Sequence, residues 1–149
     1  MIPPSDFPRL TPDNHHISSP ASTDYNCIAW AAGDTAHWWQ PGGHWPVPLD
    51  QPEYDLATLA KMFTNLGFED CAMSADLEPG FDRVALFGDS VYYTHAARQL
   101  LNGKWTSKLG KAEDIEHDTP HDIAGGLYGE LARIMKRPRL SQPSASPAP

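Results

Sequence analysis

The chain has 149 residues and 40% hydrophobic content, which suits one domain with one real core and leaves little room for a second. Lys and Arg number 11 against 19 Asp and Glu, a formal net charge of -8, so the chain repels phosphate backbones and nucleic acid is excluded as a natural partner. No apolar run approaches the roughly 20 residues of a membrane helix, and "MIPPSDFPRLTP" has neither the basic start nor the apolar stretch of a secretory leader; the expected location is cytoplasmic, with signal-independent export as the other route.

Residues 1–22 are rich in Pro, Ser and His and read as an extended N-terminal arm. Residues 23–138 read as a single domain, and residues 139–149 have the composition of a disordered tail. Within "TDYNCIAWAAG", Asp24 is the expected N-cap of a helix from about Tyr25 to Ala32, with Gly33 just past its end. Ile28, Ala29, Trp30, Ala31 and Ala32 make that helix apolar almost all round, so it belongs inside a fold. The Pro and Gly of "HWWQPGGHWPVP" keep the next stretch irregular.

A second helix is expected from near Pro52, with Leu56, Leu59, Ala60, Phe63 and Leu66 at helical spacing and Gly67 ending it. Short strands are expected at Phe68–Ala72, near Arg83–Phe87 and in "VYYTHAARQL". Asn102–Gly103 then signals a hairpin into "KWTSK". With Leu101 paired to Lys104, His95 faces about Gly110, and a slip of one or two residues brings Lys108 or Ser107 closer. The stretch from about Pro120 to Lys136 reads as a helix, with Ile123, Leu127, Leu131 and Ile134 on one side and Gly125, Gly126 and Gly129 against it. Helices and strands in separate runs favour an α+β fold with an antiparallel sheet.

Two residues carry most of the chemical interest. Cys27 falls in the first turn of the first helix, where the partial positive charge and free N–H groups favour a thiolate. Its own N–H is then free to help form an oxyanion hole, and Asn26 offers a side-chain amide beside it. The competing reading is a buried thiol acting as a small hydrophobe. His95, on an expected strand, has the fixed direction of a general base, with Ala97 leaving room beside it; the competing reading is a surface or core histidine. Ser107, Asp114 and His117 are the candidates to orient the imidazole.

Trp30 reads as core. Trp38, Trp39 and Trp45 read as candidate cleft walls for a sugar or peptide ligand. His15, His16, His37, His44, His117 and His121 are scattered without a zinc signature, so neither a metal nor a cofactor is expected. Cys27 and Cys71 are expected as free thiols.

Taken together, "DYNCIAWAAGD", "WW", "EPGFDRVALF", "THAARQL", "NGKWTSKLG", "DIEH", "YG" and "MKRP" resemble an uncharacterised bacterial domain family over about Asp24 to Pro138. More distantly, the arrangement is similar to the papain-like superfamily, which includes bacterial cell-wall cysteine peptidases and amidases. That resemblance implies a papain-like fold, with an N-terminal helix carrying the cysteine packed on a small antiparallel β-sheet. It implies Cys27 as nucleophile, His95 as base and Ser107 in the third place, where such proteins often carry Asn, Asp, His or Glu. The implied activity is a cysteine hydrolase or acyltransferase that cleaves an amide through a thioester, on a peptide, isopeptide, peptidoglycan stem or glutamine side chain. A compact toxic effector domain is one setting for it. The alternative is a catalytically inactive papain-like binding or immunity module that recognises a protein partner.

Overall fold

The computed structural model describes residues 5–49, 53–109 and 112–139. Its centre is one antiparallel sheet of seven strands: β1 (His15–Ser19), β2 (Glu69–Asp70), β3 (Phe81–Gly88), β4 (Tyr93–Gln99), β5 (Trp105–Lys108), β6 (Asp114–His117) and β7 (Glu130–Pro138), in the spatial order β1-β6-β5-β4-β3-β7-β2. Two α-helices accompany it, α1 (Cys27–Ala32) and α2 (Leu56–Asn65). The fold is therefore mixed α+β.

Both faces of the sheet are covered, which explains the almost continuous burial of β3. On one face, α1 and α2 lay Ile28, Ala29, Leu59, Met62 and Phe63 over Val84, Leu86, Ala96 and Met135. On the other, Phe7, Ile123 and Tyr128 cover Ala85, Phe87, Ala97, Trp105, Ile115 and Ile134. Neighbouring residues of β4 thus serve opposite cores. Ala96 meets the helices, and Ala97 meets the second cluster.

The segment read as an N-terminal arm is packed onto the domain. β1 pairs with β6, His15 opposite His117, and Phe7 lies in the second core. The tail lies outside the described residues except for Arg139, whose guanidinium binds Asp82.

Helix α2 has Asp55 as its N-cap, accepting from the Thr58 N–H at 3.0 Å. Hydrogen bonding from the Thr58 side chain, then from its N–H, holds the Asp55 carboxyl below the usual carboxylate range. Pro52, where the sequence placed the helix start, lies outside the described residues. The β4–β5 hairpin differs in register from the sequence reading: Gln99 pairs with Trp105 and Arg98 with Thr106. Asn102 and Gly103 sit in a longer loop closed by Leu100 N–H to Lys104 C=O and Gly103 N–H to Leu100 C=O, with Gly103 at φ +87. A glycine in the left-handed region after a tight turn is the three-residue hairpin solution.

The expected helix over 120–136 is corrected. Only a 3₁₀ turn forms, Pro120–Ile123, and Glu130–Pro138 is β7, paired with β3 from Phe81 to Gly88. Three glycines decide this. Gly125 and Gly129 have positive φ, and a Cβ on Gly126 would collide with the Asp6 carbonyl. Leu127, expected on the buried side, is exposed. Once the chain is broken there, pairing with the central strand outweighs the helical spacing of Leu131 and Ile134.

Candidate functional site

Helix α1 begins two residues later than its composition indicated, at Cys27. Asn26, not Asp24, is the N-cap; its backbone is extended and its Oδ1 accepts from the Ala29 N–H at 3.1 Å. The same oxygen accepts from the Trp39 N–H at 3.1 Å, and Nδ2 donates to the Trp39 carbonyl at 2.7 Å. This buried amide fastens the tryptophan loop to the helix. One Nδ2 hydrogen is committed to the Trp39 carbonyl, so Asn26 serves first to hold the loop.

Cys27 is therefore the first residue of α1. Burial pushes its thiol up to about 11, against the N–H groups of Ala96, Ile28 and Cys27 itself and the charge of Lys108, all of which favour the thiolate. Desolvation wins, because a six-residue helix terminus and a distant ammonium do not replace lost water. Cys27 and Cys71 are both free.

His95 is not brought to Cys27. It follows the alternation of β4 onto the face opposite α1, with Ala97. There its ring stacks on Tyr128, centroids 4.0 Å apart and 8° between planes, and leans against Phe87 at 5.4 Å. It is fully buried, and neither ring nitrogen has a hydrogen-bond partner among the described residues. Burial, then the nearby charge of His117, hold its pKa well below the ordinary value. A neutral buried imidazole with two unmet nitrogens is a poor resting base, and leaving them unmet costs roughly 1–3 kcal/mol.

Ser107 is equally committed elsewhere. Its side chain shares His95's face, but its Oγ lies 2.8 Å from His117 Nε2. The His117 Nδ1–H donates to the Thr119 carbonyl at 2.8 Å, so Nε2 is the bare nitrogen and Ser107 is the donor. Burial lowers the pKa of His117 also. Asp114, the other candidate, lies on the α1 face and accepts from Tyr25 Oη at 2.6 Å. Burial and that carboxylate push Tyr25 up to about 12. Lys108 completes the group, its ammonium 5.3 Å from the centre of the Tyr25 ring and donating to the Ala112 carbonyl. The sheet thus separates the five residues singled out for a triad. Cys27 and Asp114 belong to the helical side, and His95, Ser107 and His117 to the other.

The tryptophans divide as well. Trp30 is half-buried, donates to Thr106 Oγ1 at 3.0 Å and lies under the Arg98 guanidinium. Trp39, expected as a cleft wall, is core at 8% exposure. Trp38 and Trp45 are half-buried. Trp45 joins an aromatic row that sequence reading missed, with Trp45–Tyr93 centroids 6.4 Å apart and Tyr54–Tyr93 6.2 Å apart. The Tyr93 N–H donates to the Tyr54 carbonyl at 2.8 Å, and Tyr54 Oη to the Pro41 carbonyl at 2.7 Å. Beyond Tyr93, the Asp89 carboxylate caps the N–H groups of Val91 and Tyr92 at 2.7 Å each. Both side chains stand out at 57% exposure. "VYY" reads as strand; only its first two residues being turned outward by Asp89 makes it a surface.

These features define an α+β domain whose cysteine-led helix lies against an antiparallel strand, with an aromatic surface at one end of the sheet. Residues 16–136 match the family described as a domain of unknown function (DUF7689), and the chain belongs to that family. No curated protein and no solved structure matches it. Among the described residues no helix is long and apolar enough to cross a membrane.

Proposed function

We propose that this chain is a non-catalytic recognition domain, related in plan to papain-like proteins, that binds a basic extended segment of a partner protein. The observation that carries the reading is the unmade dyad: Cys27 and His95 occupy opposite sides of β4, and neither His95 nitrogen has a partner among the described residues. A hydrolase of this plan needs sulfur and imidazole within hydrogen-bond reach. The aromatic end supports binding in its place. Tyr54, Val91 and Tyr92 are exposed beside Glu53 and Asp89, a combination that suits aliphatic stems and cationic heads through cation–π and charge contacts. The net charge of -8 acts in the same direction.

The test is a titration of the full chain with Arg/Lys-rich and Glu-rich extended peptides of equal length, followed by tryptophan fluorescence. Basic peptides bind, more weakly as salt rises, and Tyr92→Ala loses at least fivefold in affinity. Equal affinity for both peptides sinks the reading.

A second reading, the cysteine hydrolase or acyltransferase, is favoured by one observation: three N–H groups and Lys108 act on the Cys27 sulfur in the direction of the thiolate. It requires His95 to leave the Tyr128 stack and cross to the helical side. Amide cleavage abolished by Cys27→Ala would establish it.

A further inference from the structure

We propose that Asp34, His37 and His44 form a binding site for one zinc-class divalent cation, with two imidazole nitrogens and one carboxylate oxygen as ligands. One ligand atom from each residue lies within 4.8 Å of the other two. A tetrahedral ion with ligands at about 2.0–2.1 Å draws such atoms to about 3.4 Å apart, a shift of about 1 Å for side chains of which two are exposed.

The loop holds these groups in place before any ion arrives. Gly33 takes φ +89 at the end of α1, and the Asp34 N–H returns to the Ala29 carbonyl at 2.8 Å. Asp34 Oδ1 accepts from the Ala36 N–H at 2.7 Å. Its Oδ2 accepts from the Trp39 indole N–H at 2.7 Å and faces His37 Nδ1 at 2.8 Å. Trp39 is itself pinned by Asn26, so the carboxylate is oriented by a buried donor, as metal-binding carboxylates are. His44 is set beside it by the parallel bridge from Trp39 and by the Gln40 N–H to His44 carbonyl bond at 3.0 Å. The two imidazoles lie face to face, centroids 4.1 Å apart and 10° between planes, so one of these exposed rings turns out of the stack for both in-plane lone pairs to reach one ion.

Two imidazoles with one carboxylate select borderline ions such as zinc over magnesium or calcium, which prefer all-oxygen shells. The exposed side of the cluster leaves further positions to water. An ion here would cross-link the tryptophan loop to the end of α1. The spacing Asp-x2-His-x6-His matches no familiar zinc motif, and only the fold of the loop brings it together.

The test uses the full chain, stripped with EDTA and dialysed, and titrated calorimetrically with ZnCl2 and, separately, MgCl2. The expected result is one equivalent of zinc at micromolar Kd or tighter, no magnesium uptake, and a rise of several degrees in Tm with excess zinc. His37→Gln and His44→Gln, both at exposed positions, should each weaken zinc at least tenfold with an unchanged circular dichroism spectrum. No zinc uptake overturns the proposal. So does equal uptake by the double variant, which would assign zinc to other histidines, or magnesium uptake matching that of zinc.

Discussion

The two faces of the sheet use polar residues in different ways. On the helical face most are tied across elements, Tyr25 to Asp114, Trp30 to Thr106 and Asn26 to Trp39, although Asp114 Oδ1 is buried without a partner among the described residues. On the other face His117 and Ser107 satisfy each other, while the His95 ring nitrogens and the Trp105 indole N–H are buried with no partner among the described residues. The difference teaches that the helical face is held together by polar specificity, and the opposite face by packing that tolerates an unsatisfied ring. It also keeps the nucleophile candidate and the base candidate apart.

The strongest way to break this comparison is Asn26→Ala. It removes an N-cap and strands the Trp39 N–H and carbonyl, for a loss of about 3 kcal/mol in urea unfolding. A loss below about 1 kcal/mol would show that the tie across the loop is not structural.

The second way is acid. In the native state burial keeps His95 and His117 neutral, with pKa values below the ordinary one. The unfolded chain takes up protons below about pH 6.5, so it binds more protons than the native state there. Stability is complete above that pH and falls as pH drops, by up to about 1.4 kcal/mol per pH unit for each histidine. Unfolding between pH 7 and 5 measures it. His95→Phe removes one of the two contributions. At pH 7 the same substitution should raise stability by about 1 kcal/mol, since an apolar ring replaces unmet nitrogens on Tyr128. A loss of 2 kcal/mol would mean that His95 has a hydrogen-bonding role.

Smaller effects sharpen the contrast. Cys27→Ala costs no more than about 1 kcal/mol, the value of a small half-buried apolar group, and leaves peptide binding intact. Tyr92→Ala changes stability by no more than about 0.5 kcal/mol, while weakening peptide binding.

Helix α2 was legible because Leu59, Ala60 and Phe63 repeat at helical spacing and Gly67 stops it. Helix α1 was legible in place but not in its first residue, since Asp24 and Asn26 are equally good caps by type. Trp39 decides between them, and its position is a tertiary fact. β7 was hidden because Leu131 and Ile134 fit a helical stripe; the steric demand at Gly126 comes from Asp6, 120 positions away in the sequence. Cys27 and His95 were recognisable as reactive types. The side of β4 each would take was not, because it depends on which core claims Ala96 and which claims Ala97. Asp34, His37 and His44 are not legible as a group for the same reason, since no spacing rule joins them.

The most direct test of that separation is the pH dependence of iodoacetamide alkylation, resolved by mass spectrometry, with Cys71 followed in the same tube. With Cys27 half-buried and without a base, its reaction should stay slow through neutral pH and rise only toward a pKa pushed up to about 11 by desolvation. An apparent pKa below the roughly 8.5 of a free thiol would contradict the account and point to a paired, activated cysteine.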